Sequence, residues 1–184
     1  MARVGETIDN PLMGETITFR ETGKETNGAC LQFDLTVQPH GGVRFEHIHP
    51  RQSEGFRVVA GTVTLTVAGE RRLVGPGEQF TVAAGVRHIF VNDGDEVLRA
   101  VIAVRPALAT GELLEILFRG TRDGIFKNST PGLLQLAAFD RSYRVALPYL
   151  TAYPIVLQRL ALPLLSPLAR LLGHQATYPK YVEL

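Results

Sequence analysis

Between Thr16 and Val104 the chain alternates polar and apolar residues in short runs separated by glycine-bearing turns, the pattern of an antiparallel β domain. The runs predict strands over Thr16–Glu21, Ala29–Val37, Val43–His49, Gly55–Ala60, Thr62–Val67, Gln79–Val82, His88–Asn92 and Val97–Val104. Alternation is strict in Thr62-Val63-Thr64-Leu65-Thr66-Val67, so one face of that strand should meet the core and the other water. Ala68-Gly69-Glu70 and Asn92-Asp93-Gly94-Asp95 have the composition of hairpin loops, and sequential strands are expected to pair around them.

After Arg105-Pro106 the period changes. Glu112–Phe118 and Leu133–Phe139 carry apolar residues at helical spacing with few β-branched ones. Thr110 is placed to cap the first helix, with Gly120 near its end, and Thr130-Pro131 to open the second. Tyr149–Leu172 reads as one or two further helices, with Pro154 and Pro163 as first-turn residues and Gly173 as terminator. The fold class expected is mainly β, an antiparallel barrel over residues 1–108 with a C-terminal α-helical extension over 109–184.

Composition narrows the function classes. With 45% apolar and 20% charged residues over 184 positions, the chain has the balance of a folded domain rather than a disordered one. A formal charge of +1 and the lack of any dense Lys/Arg run argue against nucleic acid as partner. The single cysteine, Cys30, excludes an intramolecular disulfide and a thiolate metal cluster, and fits a reducing, cytoplasmic home. No apolar segment follows Arg3 to act as a signal peptide, so secretion is not expected. Val145–Leu172 is interrupted by Arg159, Arg170 and four prolines, which argues against a transmembrane span.

Four residues stand out as potential metal donors. In a strand, residues two apart share a face, so His47 and His49 point together while Ile48 points away. Pro50 should break the strand there, leaving Glu54 on the next one free to face back. His88 comes from a separate strand. Taken alone, a His-x-His pair reads more readily as exposed histidines on an edge strand. His40 reads as a loop residue, Arg87 as an outer-surface charge opposite His88, and Phe45, Phe56, Phe80 and Phe90 as core; His174 and Cys30 have no partners suggesting catalysis.

The wider spacing changes that balance. Gly41, His47, His49, Glu54 and Gly61 follow G-x5-H-x-H-x4-E-x6-G, which resembles the first conserved motif of the cupin superfamily. Gly77, Gly85, His88 and Asn92 follow its second, G-x5-P-x-G-x2-H-x3-N, with Ala83 where proline is usual. The resemblance reaches from about residue 16 to 106. It implies a double-stranded β-helix (jelly roll) with His47, His49, Glu54 and His88 ligating one divalent ion at its mouth. Three imidazoles and one carboxylate suit Fe, Mn, Ni, Co or Zn without choosing among them.

Four ligands leave about two positions open on a six-coordinate ion, which suits catalysis. The leading expectation is a dioxygenase-type oxidoreductase acting on a small, partly apolar molecule. The alternatives are a metal-dependent binding or sensor protein without turnover, and a metal-dependent isomerase or lyase; no catalytic acid or base can be named. A homodimer is expected, because sheet edges and apolar helices need cover. The extension should pack on the barrel or on a second subunit, with a lid over the metal mouth or a peripheral membrane contact as the other possibilities.

Overall fold

The computed structural model describes residues 2–128 and 132–181. Ten strands precede the first helix: β1 (Thr7–Asn10), β2 (Glu15–Glu21), β3 (Leu31–Val37), β4 (Gly42–Ile48), β5 (Ser53–Ala60), β6 (Val63–Val67), β7 (Glu70–Val74), β8 (Gln79–Val82), β9 (His88–Val91) and β10 (Leu98–Arg105). Then come α1 (Thr110–Arg122), α2 (Leu133–Tyr143), the two-residue β11 (Tyr149–Leu150) and α3 (Ile155–Leu171). The strands form two antiparallel sheets, ordered β1-β2-β3-β10-β5-β8 and β11-β4-β9-β6-β7. This is the mainly β fold with a C-terminal helical extension that the sequence pattern predicts, and its two facing sheets are the jelly roll that the family resemblance implies.

Alternation explains the core between the sheets. On β2, Ile17 and Phe19 point inward; on β3, Leu31, Phe33, Leu35 and Val37; on β10, Leu98, Ala100, Ile102 and Val104. On β6, Val63 and Leu65 are fully buried, as the strict alternation predicts, although Thr64 is covered as well. Ala68 and Gly69 both take positive φ (53° and 89°), which makes the β6–β7 connection the tight two-residue hairpin its composition suggested.

Three sequence expectations need correction. Asn92-Asp93-Gly94-Asp95 is not a hairpin, because β9 and β10 lie in different sheets. The Asn92 amide donates to the carbonyls of Val37 (3.1 Å), Gln38 (3.2 Å) and Glu96 (2.8 Å), pinning a crossover between the sheets. Thr110 is not a cap: Ala109 precedes the helix, and the Thr110 hydroxyl accepts from the buried Gln52 amide at 2.7 Å. Pro163 does not open a helix, since α3 runs unbroken through Pro163 and Pro167. Pro163 has no N–H for the Arg159 carbonyl, and the Arg144 guanidinium donates to that oxygen instead at 3.2 Å. Gly173 does terminate α3, with φ +86° and the following N–H bonded back to the Ala169 carbonyl. Thr130-Pro131 lies outside the described residues.

The helices build a second core. Leu113 and Ile116 of α1 meet Phe139 and Tyr143 of α2, Leu162 of α3 and Tyr181. Phe118 of α1 belongs instead to the core between the sheets, and Tyr149 and Leu150 extend the second sheet beside Ile48 and His47.

Candidate metal centre

The four motif residues converge. His47 on β4 stands directly opposite His88 on β9 in the strand register. His49 lies just past the end of β4, and its carbonyl accepts the Gly85 N–H at 2.9 Å, tying the His49 backbone to the turn before β9. That turn keeps its shape without proline at Ala83, through Gly85 at φ +80° and a Val86 N–H bond to the Ala83 carbonyl. Glu54 comes from the facing sheet, on β5 between Val104 and Val82. The cluster therefore bridges the two sheets.

One donor atom from each of the four lies within 4.8 Å of all the others. Two donors opposite one another on an ion with bonds of about 2.0–2.2 Å would stand about 4.4 Å apart, so the spacing fits. The Nδ1 of His47 is 3.1 Å from the Phe45 carbonyl, and that of His88 is 3.0 Å from the Val86 carbonyl. A carbonyl only accepts, so each Nδ1 carries a proton; that leaves the His47 Nε2 lone pair for the centre, while His88 Nε2 donates to the Glu54 carboxylate and would release that proton to a bound cation. His88 Nε2 lies 3.0 Å from Glu54 Oε2, and His49 Nε2 lies 3.9 Å from it. His49 Nδ1 is buried without a partner. These four residues could hold a divalent ion in a site made of nitrogen and oxygen donors.

Burial governs the charges. It pushes His47 down to about 3, with the neighbouring His49 and His88 adding to the effect. It also lowers His49, outweighing the attraction of Glu54. Burial works against the Glu54 carboxylate too, but the His88 hydrogen bond and the surrounding imidazoles hold it below its ordinary value. His88 is the reverse case: burial opposes its charge, and the hydrogen bond and charge of Glu54 raise it. Near neutral pH the cluster thus holds two neutral imidazoles and a carboxylate, groups that could coordinate a cation.

The centre opens onto a cavity of about 140 Å³. Phe45, Phe90 and Ile102 from the sheets and Leu113, Leu117 and Phe118 from α1 form much of its wall. Phe45 and Phe90, expected to be core only, line this space, while Phe56 packs on Phe90 with ring centres 5.4 Å apart and Phe80 lies under Arg72. His40 is exposed, facing Asp95, and Arg87 faces Glu46 on the outside, as expected. His174 bonds Gln135, and Cys30 is buried.

Glu15 is the residue that the sequence pattern alone does not single out. It shares the cavity with His47, His49 and Glu54, is 4% exposed, and its Oε1 has no partner. Burial, with the charge of Glu54 second, pushes its carboxyl up to about 8. A signal was present: Glu15, Ile17 and Phe19 share one phase of β2, and that phase faces inward. Because the folded chain holds a proton on Glu15 that the unfolded chain releases above about 4.5, Glu15 makes metal-free protein less stable as pH rises from 4.5 toward 8. Glu15→Gln removes that dependence. Each pH unit across that window costs the wild type about 1.4 kcal/mol, so urea unfolding should show the variant gaining a few kcal/mol over wild type at pH 8. The gain should vanish at pH 4.5. Parallel pH profiles for the two proteins would contradict this placement.

Comparison with known proteins agrees with the motifs. Residues 33–104 match the family described as the cupin domain. These residues form a cupin domain. A mannose-1-phosphate guanylyltransferase of Salmonella montevideo is 33% identical over 78 residues, 42% of this chain and 16% of that protein. The chain thus spans less than a fifth of that relative's length. Among solved structures, a sugar phosphate isomerase of the cupin superfamily from Silicibacter pomeroyi is 18% identical, covering 54% of this chain and 70% of its own at a TM-score of 0.48. An RmlC-like cupin from Shewanella frigidimarina is 20% identical, covering 54% and 83% at a TM-score of 0.47.

Proposed function

We propose that this cupin is a metal-dependent enzyme of the dioxygenase type, acting on a small, largely apolar molecule that carries an oxygen donor. One observation carries the reading: the His47, His49, Glu54 and His88 cluster opens onto a cavity walled by aromatic and aliphatic side chains. A divalent transition metal bound there would supply Lewis acidity and, if redox-active, the handling of dioxygen. The chain's own residues do the rest. Phe45, Phe90, Ile102 and the α1 leucines exclude water and hold the apolar part of the substrate against the polar end of the cavity. An apolar cavity of about 150 Å³ holds benzene, which sets the size of that part at roughly one ring or a short branched chain.

Glu15 favours a second reading, an isomerase or lyase. A buried carboxyl that stays protonated near neutral pH can pass a proton to a substrate carbon or oxygen and take it back. Metal-loaded protein offered a panel of enols, diketones and catechols separates the two. The dioxygenase reading expects oxygen uptake matched to product. The isomerase or lyase reading expects no oxygen uptake but deuterium from heavy water in the product, reduced about 100-fold or more in Glu15→Gln. Binding of these compounds with neither oxygen uptake nor exchange would refute both and leave a binding protein without turnover.

A further inference from the structure

The helix α3 presents most of its large apolar residues outward. Its buried positions are Gln158, Leu162, Ser166 and Ala169, two of them polar. The Gln158 side chain faces inward to hold β11, accepting from the Leu150 N–H (3.1 Å) and donating to the carbonyls of Leu150 (2.6 Å) and Tyr153 (2.8 Å). The opposite face carries Val156 (69% exposed), Leu160 (63%), Leu164 (79%) and Leu171 (84%), with Leu157 and Leu168 beside them. Among the described residues, half of the sixteen exposed large apolar side chains fall between Tyr153 and Leu172. Spacing of three and four residues makes them one continuous stripe rather than scattered exposures.

The charge around the stripe has one sign. Residues 124–184 contain six Lys/Arg against two Asp/Glu, while residues 1–123 contain thirteen against sixteen, so a chain of net +1 is divided into a C-terminal third of +4 and a remainder of −3. One of the two acids, Asp140, is 3% exposed. Arg159 and Arg170 flank the stripe on α3 itself, and Arg51, Arg141 and Arg144 stand on the neighbouring surface. Packing of two copies stripe to stripe would bring their arginine rims together with no exposed carboxylate on α3 to offset them. A surface with an apolar interior and anionic headgroups complements both features at once.

We infer that α3 is a peripheral docking face for an anionic lipid bilayer, lying in the plane of the interface with Leu160, Leu164 and Leu171 in the acyl region and Arg159 and Arg170 at the headgroups. No helix among the described residues is long and apolar enough to cross a membrane. The stripe is separate from the metal cavity, which α3 does not line.

Co-sedimentation of the full chain with vesicles tests this, comparing pure phosphatidylcholine with phosphatidylcholine containing one third phosphatidylglycerol. The expected result is binding to the anionic vesicles at least tenfold tighter than to the neutral ones, weakened by salt. Leu160→Asp with Leu164→Asp should abolish binding with circular dichroism unchanged. Arg159→Gln and Arg170→Gln should each cost about fivefold on anionic vesicles and little on neutral ones. Absence of binding to anionic vesicles, or equal binding to both, would overturn the inference. So would a dimeric mass in light scattering that Leu164→Asp converts to monomer in a chain that ignores vesicles, since the stripe would then belong to a second copy.

Discussion

A chain ending at Leu108 should fail to form a stable barrel, although it retains every strand from β1 to β10 and all four residues of the candidate metal centre. The reason lies in α1. Phe118 is buried in the core between the sheets, and Leu113, Leu114 and Leu117 cover one side of the cavity. Burying a large apolar side chain is worth about 1.5–3 kcal/mol, so Phe118 and the cavity leucines together approach the roughly 5–15 kcal/mol by which a domain is stable. Removing α1 also opens Phe33, Ile102 and Val104 to water and takes from Gln52 its Thr110 partner. Arg119 with Glu6 and Arg122 with Asp9 (3.7 Å) tie the same helix to β1 and the segment before it, and those contacts go too. Loss of β11 uncovers the edge of β4 beside His47. The expected outcome is insoluble protein, or soluble protein that binds an apolar dye and shows no cooperative unfolding. A truncated chain that unfolds cooperatively and holds metal as the full chain does would show that α1 is dispensable to the barrel.

Much of this was legible in the sequence because strands have a period of two. Alternation located the inner strands, and the same rule put His47 and His49 on one face. What it could not supply was pairing. The loop at Asn92 has hairpin composition, yet composition does not say which sheet the next strand joins; the Asn92 amide, bonded to three carbonyls, decides that. β7 carries no strand signal because Glu70, Arg71 and Arg72 are charged, as suits an edge strand facing water. Glu15 is hidden in the sequence for the opposite reason: a charged residue in an inward phase reads as a strand end unless the cavity that receives it is known. Pro163 reads as a helix start because the donor that completes the Arg159 carbonyl, Arg144, is fifteen residues away.

His47→Ala, His49→Ala and His88→Ala should each lower affinity for a divalent metal by more than the ~10–100-fold that losing an outer hydrogen-bond partner costs, because each removes a donor outright. His88→Ala should be the most severe, since His88 is 1% exposed, sits opposite His47 in the ladder and is hydrogen-bonded to Glu54. Glu54→Gln keeps the shape and loses the negative charge that offsets the cation, so binding should weaken while circular dichroism stays unchanged. The most direct measurement is elemental analysis of the full chain after incubation with Mn, Fe, Co, Ni or Zn and removal of excess ion, run beside the three histidine variants. The expected result is about one ion per wild-type chain and nearly none in any variant; equal metal content in all four proteins, or none in the wild type with any of the five ions, would show that these side chains do not form a metal site.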